Sequence, residues 1–165
     1  MIENIKTVHC MNKCCKIRTR FFDDELTKHF TYSENNKKAG VFVYNSIRGS
    51  ILLVQSRGKM WGFPKGTIEE EPVKECALRE LKEETGIELE ESNLNKYIMI
   101  KDKALYYVYD TTIENGNLQI TEGYNDASGF TWIKIDCLFE MMNSGKIKLN
   151  YHTKFIILHY LNFNI

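Results

Sequence analysis

Gly66-Thr67-Ile68-Glu69-Glu70-Glu71-Pro72-Val73-Lys74-Glu75-Cys76-Ala77-Leu78-Arg79-Glu80-Leu81-Lys82-Glu83-Glu84-Thr85-Gly86-Ile87 is the stretch that decides how this chain reads. Pro72 suits a first helical turn, where its missing N–H has no intrahelical partner, and Gly86 suits a left-handed C-terminal cap. The spacing therefore predicts a helix over 72–85. Its apolar side gathers Val73, Ala77, Leu78 and Leu81. At about 100° per residue, Glu84 falls about 40° to one side of Glu80 and Glu83 about 60° to the other, so three carboxylates share one narrow face. Acids that close raise one another's pKa values and weaken the helix, and a divalent cation that takes oxygen ligands relieves both effects. Acidic faces on most helices are simply solvated. This one borders the apolar arc, so a rigid backing would hold its carboxylates in place.

The flanking residues sharpen the reading. Trp61-Gly62-Phe63-Pro64-Lys65 precedes Gly66, and seven residues separate Glu71 from Arg79. Together, 66–87 resembles the Nudix box: Gly, five residues, Glu, seven residues, then Arg-Glu-aliphatic-any-Glu-Glu-any-Gly-aliphatic. Every specified position from Glu71 to Ile87 matches. Between Gly66 and Glu71 this chain has four residues where the pattern has five, so the passage from strand into helix is one residue shorter. The resemblance implies an α/β Nudix fold, an α/β/α sandwich with a mixed β-sheet and a catalytic Nudix helix. It also implies hydrolysis of a pyrophosphate by attack of water on phosphorus.

Residue by residue, the resemblance implies Glu80 and Glu84 as the main metal ligands, with Glu83 sharing a metal directly or through water. The Lys65 carbonyl is a further expected ligand, and the ion is Mg²⁺ or Mn²⁺, which oxygen donors suit. Arg79 and Glu71 are expected to pair and orient the helix. The family often adds a distant acid as ligand or general base. Asn125-Asp126-Ala127-Ser128-Gly129-Phe130-Thr131-Trp132 resembles the segment of the decapping members in which a Glu stands six residues before a Trp, which makes Asp126 the first candidate and Glu122 the second. Asp is common in turn-rich loops in any case.

For substrate, the 61–66 run joined to Cys76-Ala77-Leu78-Arg79-Glu80 is most similar to the mRNA-decapping branch, including its compact viral members. The expectation is hydrolysis of the mRNA 5′ cap to m7GDP and 5′-monophosphate RNA. The closing segment, 147–161, sits where those proteins carry an RNA-binding helix, although it is poor in Lys and Arg. Glu69-Glu70-Glu71-Pro72 also resembles hydrolases of diphosphoinositol polyphosphates or dinucleoside polyphosphates. A Nudix-fold binding module without turnover is the reading from another class; such members usually lose a glutamate or the arginine, and this chain keeps them. Tyr106, Tyr107 and Trp132 could stack a base, but aromatic residues in strands are usually core.

Length and composition frame these expectations. At 165 residues the chain can bury a real core without staples. Its 22 basic and 22 acidic residues argue against a broad nucleic-acid surface. Local basic clusters remain at Lys13, Lys16, Arg18 and Arg20, at Arg57 and Lys59, and at Lys146, Lys148 and Lys154. The five cysteines, Cys10, Cys14, Cys15, Cys76 and Cys137, show no disulfide framework and read as reduced thiols in an intracellular, cytoplasmic protein. His9, Cys10, Cys14 and Cys15 are a tempting zinc cluster, yet no second Cys or His pair follows at finger spacing. Neither a secretory leader nor a run of about 20 apolar residues is found, so no membrane partner is expected.

The chain is expected to divide into an N-terminal extension, 1–38, packed on or preceding the core, and a Nudix hydrolase domain, 39–165. The extension reads as irregular, with a short strand near 17–22. Strands are expected at 40–44, 50–55, 61–63, 96–101, 104–110 and 129–135. Asp136 should cap a helix to 143, and a last amphipathic helix, 151–161, should pack Phe155, Ile156, Leu158 and Leu161 on the sheet.

Overall fold

The computed structural model describes residues 4–21, 37–56, 60–119 and 127–161. Two hairpins begin the chain: β1 (Asn4–His9) with β2 (Lys16–Phe21), and β3 (Lys38–Asn45) with β4 (Ser50–Ser56). Gly49, with φ 67°, supplies the left-handed residue in the turn of the second. Short strands β5 (Trp61–Gly62) and β6 (Lys65–Thr67) lead into helix α1 (Val73–Thr85). A 3₁₀ turn, strands β7 (Lys96–Ile100), β8 (Ala104–Asp110) and β9 (Ala127–Lys134), and helices α2 (Ile135–Asn143) and α3 (Tyr151–Ile156) follow. A π-helical turn, Ile157–Leu161, extends α3.

The large sheet is mixed. β3 runs parallel to β8 and antiparallel to β4, while β7 joins β8 antiparallel. β3 meets β4 only near their shared turn, then splays away so that its first residues pair with β6. β4 pairs instead with β5 and β9. This fork admits the loop that carries Lys65 and Gly66 into the sheet beside α1.

Alternation along β3 and β4 gives each face its own core. Val41, Val43 and Leu52 pack with Ala77 and Leu81 of α1 on one side. Phe42, Ile51 and Leu53 pack with Leu138 and Met141 of α2 and Ile156 of α3 on the other. Helices cover both faces, which is the expected α/β/α sandwich. Helix α1 begins after Pro72, in extended conformation, and ends at Gly86, φ 74°, whose N–H returns to the Lys82 carbonyl.

Three expectations need correction. Within the N-terminal segment, 4–21 form a regular hairpin, in which Ile17 and Thr19 are buried while Arg18 between them is exposed. Its turn contains Asn12, but the left-handed position, φ 57°, falls on Lys13, one residue later. Asp136 lies inside the first turn of α2, after an extended Lys134. On α3 and the turn that extends it, Thr153, Ile156 and Ile157 are buried and Phe155 faces outward: at about 100° per residue those three form one stripe and Phe155 lies on the opposite side. Asp126, Glu122, Arg57 and Lys59 lie outside the described residues. Among the described residues no helix is long and apolar enough to cross a membrane.

Candidate active site

Arg79 organises the acids around α1. Its Nε and Nη2 donate to Glu71 Oε2 and Oε1 at 3.1 and 2.6 Å, a bidentate pair. Its Nη1 donates to Glu80 Oε1 at 2.9 Å and reaches Glu83 Oε2 at 3.3 Å. The hydrogen bond from Arg79 holds the Glu71 carboxyl below its usual range, and the same bond raises the guanidinium further. The shortened loop still delivers Glu71, because its N–H turns back onto the Glu69 carbonyl at 2.8 Å and takes up the missing residue in a tight bend.

The β6 backbone closes the other side. The Lys65 N–H donates to Glu84 Oε2 at 3.3 Å, and Glu84 is only 8% exposed. Glu80 rests on Gly66: a Cβ there would lie 2.0 Å from the Glu80 Cδ and Oε1. Only glycine leaves that seat free. Cys76 pins loop to helix through Sγ contacts to the Thr67 and Gly66 carbonyls at 3.5 and 3.9 Å. Burial, reinforced by the Glu71 charge, pushes its thiol up to about 12, so it serves as an inert packing group.

The arrangement fits a hard divalent ion. Its donors are carboxylate oxygens on one helical face, set against a backbone loop, with Glu84 and Glu80 shielded and Glu83 half open to solvent. Among the described residues, Glu71, Glu80, Glu83 and Glu84 outnumber the nearby cations Arg79, Lys65 and Lys38. Sequence reasoning considered Lys65 only for its carbonyl. Its ammonium also belongs to the site: burial lowers its pKa, Glu84 and Glu80 oppose that, and Lys38 reinforces it.

Helix α3 is fastened to this loop. Asn150 caps it by accepting from the Thr153 N–H at 2.9 Å, and the Asn150 N–H donates to the Trp61 carbonyl at 2.9 Å. Thr153 Oγ1 accepts from the Phe63 N–H at 3.1 Å. His152 lies close enough that burial, then Lys65 and Lys103, lower its pKa. From this anchored end an aromatic ladder runs along the surface: Tyr151 to Phe155 at 6.3 Å between ring centroids, and Phe155 to His159 at 4.3 Å. Tyr151 is 65% exposed and Phe155 39%.

The aromatic residues singled out from sequence lie elsewhere. Tyr106 and Tyr107 are buried in the sheet, and Trp132 is half-buried with its Nε1–H donating to the Asn115 carbonyl at 2.8 Å. Of the terminal lysines, Lys146 is engaged by the His9 carbonyl at 2.8 Å and by Glu140 at 3.2 Å. Lys148 and Lys154 are exposed.

With this geometry in place, the NUDIX domain matches residues 34–151. The chain belongs to the Nudix family. A protein of Invertebrate iridescent virus 3 named as a hydrolase, 111R, is 32% identical over 141 residues, covering 82% of this chain and 81% of its own length. The m7GpppN-mRNA hydrolase dcap-2 of Caenorhabditis elegans is 31% identical over 161 residues; the match covers 84% of this chain and 20% of dcap-2. The bifunctional NMN adenylyltransferase/ADP ribose pyrophosphatase of Francisella tularensis, crystallised with AMP and Mn, shares the fold with a TM-score of 0.54. Its identity is 21%, over 82% of this chain and 44% of that one. Nudix hydrolases act on pyrophosphate bonds and generally use divalent metals, and this chain is a Nudix pyrophosphohydrolase.

Proposed function

We propose that the protein hydrolyses the 5′ cap of RNA, releasing m7GDP and a 5′-monophosphate RNA. The observation that carries this reading is the match to dcap-2 along 84% of the chain. The exposed ladder of Tyr151, Phe155 and His159, anchored beside Lys65, supports it, since aromatic faces stack bases without regard to sequence. In the reaction, water oxygen bonds to the phosphorus nearest the RNA, and the bond from that phosphorus to the departing m7GDP breaks.

Glu80 and Glu84, with Glu83 and the Lys65 carbonyl, would hold Mg²⁺ or Mn²⁺, which supplies charge neutralisation on the phosphate oxygens. Glu71 and Arg79 are positioning residues: their bidentate pair sets Arg79, which in turn fixes Glu80. Asp126 accepts the proton of the attacking water, with Glu122 as the second candidate. Glu80 and Glu84 are kept in place before substrate arrives, so little reorganisation is left for the reaction itself.

The small-molecule reading rests on a different observation, the equal count of 22 basic and 22 acidic residues, which provides no broad phosphate-binding surface. Diphosphoinositol or dinucleoside polyphosphates would then be the substrates. A competition panel separates the two: capped transcript, free cap dinucleotide, dinucleoside polyphosphate and diphosphoinositol phosphate, each with Mg²⁺ or Mn²⁺. Capped transcript should be preferred over the free dinucleotide, with kcat/KM falling steeply as salt rises. Tyr151→Ala with Phe155→Ala should lower kcat/KM for RNA while sparing the dinucleotide. Equal use of dinucleotide and transcript, or preference for the inositol compound, would favour the small-molecule reading.

A further inference from the structure

The turn between β1 and β2 brings three cysteines together, and α2 adds a fourth from far along the chain. The sulfurs of Cys10, Cys14, Cys15 and Cys137 all lie within 4.8 Å of one another. Cys10 and Cys14 are 3.5 Å apart and Cys14 and Cys137 3.4 Å. In a tetrahedral zinc–thiolate centre with Zn–S of about 2.3 Å, the sulfurs stand about 3.8 Å apart. A disulfide needs about 2.05 Å, and all four thiols are free. The sequence lacked a second ligand pair at finger spacing; the fold closes the set with Cys137, 123 residues beyond Cys14.

We propose that Cys10, Cys14, Cys15 and Cys137 form a structural zinc site that clasps the β1–β2 hairpin to α2. Binding releases the four thiol protons and leaves four thiolates on one Zn²⁺. The outer contacts suit that centre. The Cys15 N–H donates to Cys10 Sγ at 3.4 Å, and the Cys10 N–H donates to the Cys15 carbonyl at 3.1 Å, closing the turn. The Met11 N–H donates to Glu140 of α2 at 3.0 Å, while Lys146 bridges Glu140 and the His9 carbonyl. The hairpin tip is thus registered on α2 by groups that are not ligands, as outer-shell partners of metal sites are. Cys14 is exposed and offers the entry path, while Cys10 and Cys137 are buried. A closed four-sulfur set has no open position for substrate, so the role is structural and separate from the acidic helix.

The test is metal content and cobalt spectroscopy on the full chain. Protein grown with zinc and dialysed without chelator should hold one thiolate-bound zinc per chain. Replacement by Co²⁺ should give the intense sulfur-to-cobalt charge-transfer and tetrahedral bands that oxygen ligands do not produce. Cys14→Ser, on the surface, should lose both signals, as should Cys137→Ser. His9→Ala, and Glu80→Gln with Glu84→Gln, should keep them. Zinc that disappears with the Glu80 and Glu84 substitutions, a weak octahedral cobalt spectrum, or a Cys14–Cys137 disulfide in the freshly isolated protein would overturn the proposal. The cobalt spectrum of the unsubstituted chain decides even if Cys137→Ser fails to fold.

Discussion

Gly66→Ala isolates the seat of Glu80. The added methyl would lie 2.0 Å from the Glu80 Cδ and Oε1 and 2.5 Å from Oε2. Ordinary contact starts near 3.5 Å, so the carboxylate must retreat by more than about 1 Å. Arg79, which already grips Glu80 at 2.9 Å and Glu71 at 2.6 Å, limits where it can go. A displacement of that size at a reacting centre costs about 10²-fold in rate. Stability should change little: Gly66 is not among the positive-φ glycines, so alanine fits its backbone, and the clash falls on the end of a flexible side chain. The assay is kcat and KM on a pyrophosphate substrate alongside a thermal melt and a Mn²⁺ titration. The expected pattern is a kcat loss of about 10²-fold, weaker Mn²⁺ binding and a melting temperature near that of the parent. Parental kcat and Mn²⁺ affinity in the Gly66→Ala variant would refute the seating of Glu80 as the basis of the site.

Three other outcomes are expected. Glu84→Gln keeps an amide oxygen that can accept from the Lys65 N–H, and it should shrink the rise in melting temperature that Mn²⁺ produces; an undiminished rise would contradict this. Arg79 holds the Glu71 pKa below its unfolded value of about 4.3, so the pair's stabilisation is fully present above that pH and is lost as pH falls through it toward the lower native value; melts from about pH 6 to about pH 3 should therefore fall less steeply for Glu71→Gln, and parallel slopes would count against the pair. Asp126→Asn should lower kcat far more than it raises KM, with Glu122→Gln milder; a larger defect in the Glu122 variant would exchange their roles.

Local signals carried most of the fold. Pro72 and Gly86 bracketed α1 in the sequence because caps act within a few residues, and the 3.6-residue period put Ala77 and Leu81 on the sheet. The apolar runs at 40–44 and 50–55, flanking a turn at Arg48 and Gly49, marked β3 and β4 for the same reason. Long-range partnerships were hidden. Nothing near Cys14 announces Cys137, and nothing near Lys146 announces the His9 carbonyl. Phe155 was misassigned because its apolar character was read as inward-facing, whereas the buried stripe of Thr153, Ile156 and Ile157 leaves it on the opposite side of the helix. At the site, the spacing of Glu71, Arg79, Glu80, Glu83 and Glu84 already fixed which acids could meet. The seat that Gly66 provides for Glu80, and the Lys65 ammonium among the acids, depend on how β6 packs against α1, which only the folded chain shows.

The most direct test is hydrolysis of cap-labelled RNA in isotopically heavy water, with and without Mn²⁺, by the parent chain and by Glu84→Gln. The account predicts metal-dependent release of m7GDP, heavy oxygen on the 5′-monophosphate RNA, and a loss of about 10²-fold or more in the Glu84 variant. Metal-independent turnover, or a Glu84→Gln rate equal to the parent, would contradict the assignment of the acidic helix as the centre of the reaction.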